Sequence, residues 1–121
     1  MEAKEKKVLI VNDNVAVLVR YDSFFKDAGY VVETAASGEE ALEILASQSF
    51  PVIVTDLSMQ GMDGLELCRE VRSRGFRGTL IAITAHSDKF EFSACREAGF
   101  DGYFQKPVEM EVLLEAVGEL S

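Results

Sequence analysis

The sequence predicts a three-layer α/β sandwich in which one parallel sheet of five strands lies between two layers of helices. Three short apolar runs, residues 8–11, 52–54 and 80–83, are rich in β-branched side chains and end at polar residues. Continuous apolar strands of this kind are covered on both faces, as in a parallel sheet. Segments with the helical spacing of apolar residues separate the runs. Strand and helix therefore alternate, which is the pattern of a (βα)5 domain.

Two weaker strand candidates complete the sheet and are predicted at its edges. Residues 31–35 mix apolar side chains with Glu33 and Thr34, and residues 102–104 form a run of only three. Right-handed crossovers then place helices on both faces of the sheet. With three central and two peripheral strands, the doubly wound, flavodoxin-like strand order 2-1-3-4-5 fits.

The helices are predicted from their caps and apolar stripes. The first runs from about residue 15 to 28 and ends at Gly29, where glycine allows a left-handed cap. Ser37 and Glu40 have capping-box spacing and open the second helix, Gly75 stops the third, and the last begins at about Glu109. The stripes of the second, third and last helices are Ala41, Leu42, Leu45 and Ala46; Leu65, Cys68, Val71 and Arg72; and Val112, Leu113, Ala116 and Val117.

The length and the charge of the chain restrict its function. A chain of 121 residues suffices for one domain with a core and is too short for two, so residues 1–121 are expected to form a single domain. The formal net charge of −9 repels phosphate backbones and anionic lipids. We therefore expect neither nucleic acid nor a membrane as a partner.

The cysteines and the N-terminus point to a cytoplasmic protein. Cys68 and Cys95 lie in separate segments without a CxxC pair, which argues against a zinc or redox site and predicts two buried, reduced thiols. The charged N-terminus runs into an apolar stretch of only four residues, far shorter than a signal peptide or a membrane span.

Polar residues follow four of the five predicted strands. Asn12 and Asp13 follow the first strand, Asp56 the third and Lys106 the fifth, while Thr84 ends the fourth. The carboxyl ends of parallel strands meet at one edge of the sheet, where ligands bind in this fold class. Alone, Asp56 would be a turn cap and Lys106 a solvated surface lysine. Together these residues predict a site.

The chemistry of this set suits phosphoryl transfer to a carboxylate. Such transfer depends on positioning and on charge neutralisation, so a divalent cation and a fixed positive side chain are expected beside the attacking oxygen. Asp13 and Asp56 offer the oxygen ligands that Mg²⁺ prefers, and Lys106 can hold a phosphoryl oxygen. The hydroxyl of Thr84 can donate to another.

Four motifs, in order and spacing, resemble the receiver domain of the response-regulator family of two-component signalling over essentially the whole chain. They are Asn12-Asp13, residues 56–64 (DLSMQGMDG), Thr84-Ala85 and Lys106-Pro107. The resemblance implies that Asp56 accepts a phosphoryl group from a sensor histidine kinase or a histidine phosphotransfer protein. It also implies that the protein is no enzyme beyond catalysing its own phosphorylation and dephosphorylation.

The resemblance assigns further roles to residues of the site. Asp13, Asp56 and the backbone carbonyl of Ser58 are expected to ligate Mg²⁺ or Mn²⁺. Thr84 and Lys106 are expected to contact the phosphoryl group, and Thr84 and Tyr103 to reorient together on activation. The bond before Pro107 is expected to be cis, which shapes the loop that presents Lys106. Purely structural roles stay open for two of these residues, because Thr84 can cap a helix and Tyr103 can fill the edge of the core.

Two departures from the family pattern affect the site, and its mouth carries the only histidine. Asn12 replaces a usual acidic residue, so it is expected to reach the cation through a water molecule and to weaken its binding. Gln60 replaces a usual proline and is expected to loosen the turn after the third strand. His86 stands two residues after Thr84 and is expected to be a solvated bystander or a water-orienting group rather than a relay base.

The output of the switch is expected at the face made by the fourth helix, fifth strand and fifth helix. Phe90 and Phe92 are two residues apart on the fourth helix and point to opposite sides, so Phe92 is expected to be exposed for a protein partner. A phosphorylation-dependent dimer is a further expectation. No effector domain is predicted within the chain, which suits a single-domain regulator or a receiver from a longer protein.

Rival functions make different demands on the same positions. A pseudo-receiver that works without phosphorylation is suggested by Asn12 and Gln60, but Asp56, Thr84 and Lys106 are intact. An aspartate-nucleophile phosphatase would need a second acid where Ser58 stands. A flavin carrier would need a phosphate-binding loop after the first strand, where Asp13 has the wrong charge.

Overall fold

Strands and helices alternate along the part of the chain that the structure describes. This computed structural model describes residues 5–85 and 88–120, apart from the side chains of residues 89 and 90. The elements are β1 (Lys7–Val11), α1 (Val15–Asp27), β2 (Val31–Ala35), α2 (Gly38–Ser47), β3 (Val52–Asp56), α3 (Gly64–Ser73), β4 (Thr79–Thr84), α4 (Lys89–Ala98), β5 (Gly102–Gln105) and α5 (Met110–Leu120). The predicted succession of strands and helices is confirmed.

The five strands form one parallel sheet in the order β2-β1-β3-β4-β5, as predicted. Every residue of β3 and β4 is buried, whereas β2 and β5, at the edges, are partly exposed. Pairing of Val11 with Thr55 and of Asp56 with Ile83 sets the strand ends side by side. The residues that follow β1, β3 and β4 therefore meet at one edge of the sheet.

Two separate cores cover the two faces of the sheet, because successive side chains of a strand point to opposite faces. Leu9, Ile53 and Leu80 belong to the core that packs against α2, α3 and α4. Val8 and Ile81 belong to the other core, which packs against α1 and α5. The apolar runs predicted these strands correctly because they supply both faces at once.

Side-chain caps and glycines fix the helix ends near the predicted positions. Ser37 Oγ accepts from the Glu40 N–H at 3.0 Å, the first half of the predicted capping box. A complete capping box opens α3 instead, between Asp63 and Glu66. Gly29 has the left-handed φ of +92° expected of it. Helix α1 ends at Asp27 rather than Ala28, and α5 begins at Met110 rather than Glu109.

Three predicted stripe positions do not face the apolar core. Ala46 is exposed near the end of α2, and 47% of Val112 is exposed because Leu113 and Val117 are the α5 residues that face the sheet. The guanidinium of Arg72 donates to the backbone carbonyls of Gly99 and Gly78, so it joins α3 to two loops. A polar side chain therefore fills a place that its spacing marked as apolar.

The remaining expectations about the surface and the thiols have different outcomes. Phe92 is exposed as predicted, at 44%, while the side chain of Phe90 lies outside the described residues. Cys68 and Cys95 are free and buried, as predicted. None of the described helices has the length and apolar character needed to cross a membrane.

Candidate functional site

Asp56 stands at the carboxyl end of β3 with both carboxylate oxygens hydrogen-bonded. Its Oδ2 accepts from Lys106 Nζ at 2.6 Å and from Asn12 Nδ2 at 3.2 Å. Its Oδ1 accepts from the Ser58 N–H at 3.1 Å. Only 5% of the Asp56 side chain is exposed, so a charge that would be costly alone is neutralised by Lys106. The predicted convergence of these residues is found.

The loop after β5 brings Lys106 to this carboxylate. The Lys106 N–H donates to the Thr84 carbonyl at 2.7 Å, which ties the loop to the end of β4. The Lys106–Pro107 peptide bond is cis, as the family resemblance implied. The Lys106 side chain remains 40% exposed, so its ammonium can be reached from solvent while it holds Asp56.

The loop after β1 supplies an amide and a second carboxylate. Asn12 is 6% exposed, and its Oδ1 accepts from the Asn14 N–H at 2.9 Å. Asp13 is exposed, and its Oδ2 accepts from the Gln60 N–H at 3.0 Å. A proline has no N–H to donate. Gln60 therefore fastens the turn after β3 to Asp13, whereas the sequence suggested a looser turn.

Thr84 and Tyr103, the predicted switch pair, are both held by Glu91 of α4. Thr84 is 2% exposed, and its hydroxyl donates to Glu91 Oε1 at 2.7 Å. The Tyr103 hydroxyl donates to the same oxygen at 2.8 Å. Partial burial raises the pKa of Tyr103, and the hydrogen bond and charge of Glu91 raise it further. The edge-to-face contact of Phe92 with Tyr103, at 5.4 Å between ring centroids, continues the arrangement to the surface.

The sequence of this chain matches a known protein family over most of its length. The model of the response regulator receiver domain matches residues 8–118. The chain belongs to this receiver family. It is therefore a receiver domain of a response regulator in a two-component system, with the fold that the geometry of the sheet had already shown.

Relatives of this receiver include longer response regulators. The response regulator MprA of Mycobacterium ulcerans is 39% identical over 108 residues, which are 89% of this chain and 47% of that protein. MprA of Mycolicibacterium vanbaalenii is 38% identical over the same shares. The chain thus spans about half the length of the curated relatives it matches.

Solved receiver structures match nearly the whole chain. The chemotaxis protein CheY4 of Vibrio cholerae is 30% identical, with a TM-score of 0.92, over 98% of this chain and 100% of that one. A CheY-like receiver of Methanospirillum hungatei is 29% identical, with a TM-score of 0.90, over 96% and 93%. The BeF3-activated DrrB receiver domain is 27% identical, with a TM-score of 0.87, over 97% of both chains.

Receiver domains typically bind Mg²⁺ at an acidic pocket, and the residues of this receiver fit that ion. Asp13 and Asp56 offer two carboxylates at the edge of the sheet, and the Asn12 amide donates to Asp56. Among the described residues no group of three or more His, Cys, Asp or Glu side chains could hold a metal. Mg²⁺ is usually held by one or two carboxylates and keeps several waters, so this smaller donor set suits it.

Two residues that matter to this receiver were missed or undervalued in the sequence. A Cβ on Gly64 would lie 2.5 Å from the Asp56 carbonyl oxygen, so α3 can begin against β3 only with glycine there. Glu91 was missed, because its spacing from Asp88 suits the cap that Asp88 forms and does not show that its side chain reaches Thr84 and Tyr103. His86, predicted at the mouth of the site, lies outside the described residues.

Proposed function

We propose that this receiver is a phosphorylation-dependent signalling switch that accepts a phosphoryl group on Asp56. The donor is a sensor histidine kinase or a histidine phosphotransfer protein in the cytoplasm. The observation that carries the proposal is the buried Asp56 carboxylate, paired with Lys106 at 2.6 Å at the edge of the sheet where four strands end. We further propose that residues 1–121 act as one receiver domain, either alone or within a longer regulator.

In the transfer step, a carboxylate oxygen of Asp56 forms a bond to phosphorus as the bond from phosphorus to the donor imidazole breaks. The electron pair of the broken bond stays on that nitrogen of the imidazole, and because the other ring nitrogen already carries a proton, the donor leaves as neutral imidazole. Lys106 stays beside the carboxylate and holds a phosphoryl oxygen, since its ammonium already lies within hydrogen-bonding distance of Asp56. The chain thus catalyses only the arrival and the loss of its own phosphoryl group.

The loops after β1 and β3 would hold a divalent cation in this proposal. Asp13, Asp56 and the Ser58 carbonyl are the ligands, and Asn12 acts through a water molecule. Mg²⁺ or Mn²⁺, when bound, supplies positive charge to the phosphoryl oxygens that Lys106 does not reach. Asn12 keeps one lone pair of Oδ1 for that water, because its other known partner there is the Asn14 N–H.

The signal leaves through the face made by α4, β5 and α5. Thr84 and Tyr103 reorient when Thr84 donates its hydroxyl to a phosphoryl oxygen. Phe92 packs on the Tyr103 ring and is itself 44% exposed, so a move of Tyr103 changes what this face offers to a protein partner.

Intact-mass measurement after incubation with acetyl phosphate and Mg²⁺ tests the proposal. We expect one phosphoryl adduct, which does not form when the cation is chelated beforehand and is absent from Asp56→Asn. Asp22→Asn, which removes a surface carboxylate paired with Lys26, is the matched control and should gain the adduct normally. An Asp56→Asn protein that still gains the adduct would reject Asp56. A wild-type protein that gains none would make the chain a pseudo-receiver.

A further inference from the structure

A single carboxylate oxygen holds both members of the switch pair. Glu91 Oε1 accepts from the Thr84 hydroxyl at 2.7 Å and from the Tyr103 hydroxyl at 2.8 Å. Thr84 is 2% exposed, so the donor of its bond to the half-buried Glu91 is shielded from solvent, which strengthens such a bond. The two residues that must move together are therefore joined through a third residue, which the sequence did not identify.

The position of Glu91 on its helix shows that this contact replaces a simpler one. Asp88 Oδ1 accepts from the Glu91 N–H at 2.7 Å, which is the first half of a capping box. In α3 the equivalent Glu66 completes the box by accepting from the Asp63 N–H. In α4 the side chain of Glu91 reaches Thr84 and Tyr103 instead. A glutamate at this position usually accepts a hydrogen bond from the N-cap N–H, and in α4 the Glu91 side chain contacts the switch pair instead.

The hydroxyl of Thr84 has only one proton to donate. While that proton lies on Glu91 Oε1, it is not available to a phosphoryl oxygen on Asp56. Asp56 pairs with Ile83 across the sheet, so Thr84 stands one residue beyond the acceptor on the neighbouring strand. Glu91 and a phosphoryl group on Asp56 thus compete for the same hydroxyl from different sides.

We propose that Glu91 is a positioning residue that holds Thr84 and Tyr103 in their unphosphorylated arrangement and opposes phosphorylation of Asp56. Glu91 acts on Asp56 through Thr84, to which it is hydrogen-bonded. This proposal rests on the proposed function of Asp56. Loss of Glu91 removes a bond that exists only before phosphorylation, so it favours the phosphorylated state. A residue with a merely structural role would have the opposite effect, since its loss weakens the fold that binds the phosphoryl group.

The affinity of the folded protein for the phosphoryl mimic BeF3⁻ in the presence of Mg²⁺ tests the proposal. A hydrogen bond to a charged group corresponds to roughly a ten-fold change in an equilibrium constant. We expect Glu91→Ala to tighten BeF3⁻ binding about ten-fold and Glu91→Gln, which keeps an acceptor oxygen without the charge, to tighten it less. Glu97→Ala removes the same charge from the exposed side of α4 and should leave the affinity unchanged.

A Thr84→Ala background shows whether the effect passes through Thr84. There, Glu91→Ala should no longer tighten BeF3⁻ binding, because the contested hydroxyl is gone. The proposal is overturned if Glu91→Ala leaves or weakens the affinity while the protein is folded. It is equally overturned if the tightening persists in full without Thr84.

A second measurement separates this proposal from the function on which it rests. NMR side-chain couplings of Thr84 and Tyr103, recorded without any phosphoryl mimic, should show one dominant χ1 rotamer in the wild type and a different rotamer distribution in Glu91→Ala. Unchanged rotamers would overturn the role of Glu91, whatever Asp56 does. The rotamers could change in Glu91→Ala although the wild type binds no BeF3⁻ and gains no adduct. That result would reject the phosphorylation of Asp56 but support the role of Glu91 in positioning Thr84 and Tyr103.

Discussion

The amide of Asn12 gives Asp56 a hydrogen bond that a carboxylate at this position could not give. Its Nδ2 donates to Asp56 Oδ2 at 3.2 Å, and its Oδ1 accepts from the Asn14 N–H. An aspartate would keep the second contact but would set a negative charge against Asp56, with both groups almost fully buried. Asn12, which departs from the family pattern, therefore stabilises the cation-free site. It also makes the site less negative, so the site attracts a cation less strongly.

We predict that Asn12→Asp binds Mg²⁺ several-fold more tightly and melts at a lower temperature without the cation. One added unit charge near the ion in a polar cleft is worth on the order of 1 kcal/mol after screening. The lost hydrogen bond to the Asp56 carboxylate costs roughly 1.5–3 kcal/mol. Metal titration by NMR and thermal melting with a chelator measure the two effects.

Asn14→Asp is the matched control for the Asn12 prediction. It adds the same charge two residues away, at the exposed N-cap of α1, where aspartate caps as well as asparagine. We expect a smaller gain in Mg²⁺ affinity and no loss of stability. If Asn12→Asp binds Mg²⁺ no more tightly, or melts higher in the chelator, the role given to the amide is wrong.

At this scale the sequence revealed the reacting groups but not their supports. Asp56 and Lys106 could be placed because strand ends in a parallel sheet share an edge, which is a property of topology. Glu91 could not, because its partners Thr84 and Tyr103 lie on β4 and β5 and only tertiary packing brings them to α4. Asp88 caps α4 through the Glu91 N–H, but tertiary packing turns the Glu91 side chain to Thr84 and Tyr103.

The helices present two glycines for which we predict opposite effects of the same substitution. A Cβ at Gly64 would lie 2.5 Å from the Asp56 carbonyl oxygen and 2.8 Å from Leu57 Cα, both backbone atoms. Gly64→Ala should lower the free energy of unfolding by about 1–3 kcal/mol and should slow phosphorylation, because α3 or the acceptor strand must shift. Among the described residues, a Cβ at Gly118 meets no atom within 4 Å apart from its chain neighbours and its own helix backbone. Gly118→Ala should raise stability by roughly 0.5–1 kcal/mol.

Chemical denaturation of both variants and their rates with acetyl phosphate measure these effects. Each variant adds one methyl group to a helix. A difference between their free energies of unfolding therefore reflects the packing around each glycine rather than helix propensity. Equal stabilities of Gly64→Ala and Gly118→Ala would mean that α3 can withdraw from β3 without cost. An unchanged phosphorylation rate in Gly64→Ala would separate the helix start from the acceptor.

The packing of α3 and α4 predicts a loss of stability at alkaline pH. Burial raises the pKa of Cys68 on α3 from 9.0 to about 11, and burial raises that of Cys95 on α4 from 9.0 to about 11. Above pH 9 the unfolded chain releases these protons while the folded protein keeps them. The free energy of unfolding should therefore be at its full value below pH 9 and fall up to about pH 11.

Urea denaturation across this pH range tests the prediction with a double variant, Cys68→Ala and Cys95→Ala. The variant is expected to be less stable at neutral pH, because both thiols fill the core, but to lose less stability between pH 9 and 11. If the free energy of unfolding of the wild type and of the variant depended on pH in the same way, groups other than these cysteines would cause the loss of stability.

Central strands were predictable because burial on both faces favours continuous apolar runs, with the buried polar residues Thr55, Asp56, Thr79 and Thr84 confined to the strand ends. The buried face of a helix was less predictable, because the sequence spacing does not show where the apolar stripe ends. Tertiary packing decides which residues at the border of the stripe are buried. Val112 lies one position from Leu113 on α5, yet it is 47% exposed while Leu113 is fully buried. The Arg72 guanidinium lies over the Phe76 ring, with Cζ 5.4 Å from the ring centroid, and donates to loop carbonyls, a use of arginine that the apolar spacing does not reveal.

Across the whole molecule, the phosphoryl site and the face of α4, β5 and α5 are joined by a short chain of contacts. Thr84 contacts Glu91, Glu91 contacts Tyr103, and the Tyr103 ring packs against Phe92 at the surface. Phe92 and Val112 are exposed apolar residues of this face, at 44% and 47%. An apolar surface that changes with the site suits association that depends on phosphorylation.

We predict that the protein activated with Mg²⁺ and BeF3⁻ self-associates through this face, and that the association strengthens with salt. Each copy has a formal net charge of −9, so two copies repel each other at low ionic strength. An interface centred on Phe92 is apolar, and salt screens the repulsion without weakening such a contact. Analytical ultracentrifugation over a range of salt concentrations measures the dimer affinity. An interface built on ion pairs would show the opposite dependence.

Phe92→Ala should weaken this dimer about ten-fold or more, because burying a phenylalanine contributes roughly 1.5–3 kcal/mol. Val31→Ala is the matched control, since Val31 is 60% exposed on β2, at the opposite edge of the sheet from β5. The loss of Phe92 also removes a contact of Tyr103, so BeF3⁻ affinity must be measured for both variants. If the Phe92→Ala protein binds BeF3⁻ normally and still dimerises like the Val31→Ala protein, the face of α4, β5 and α5 is not the dimer interface.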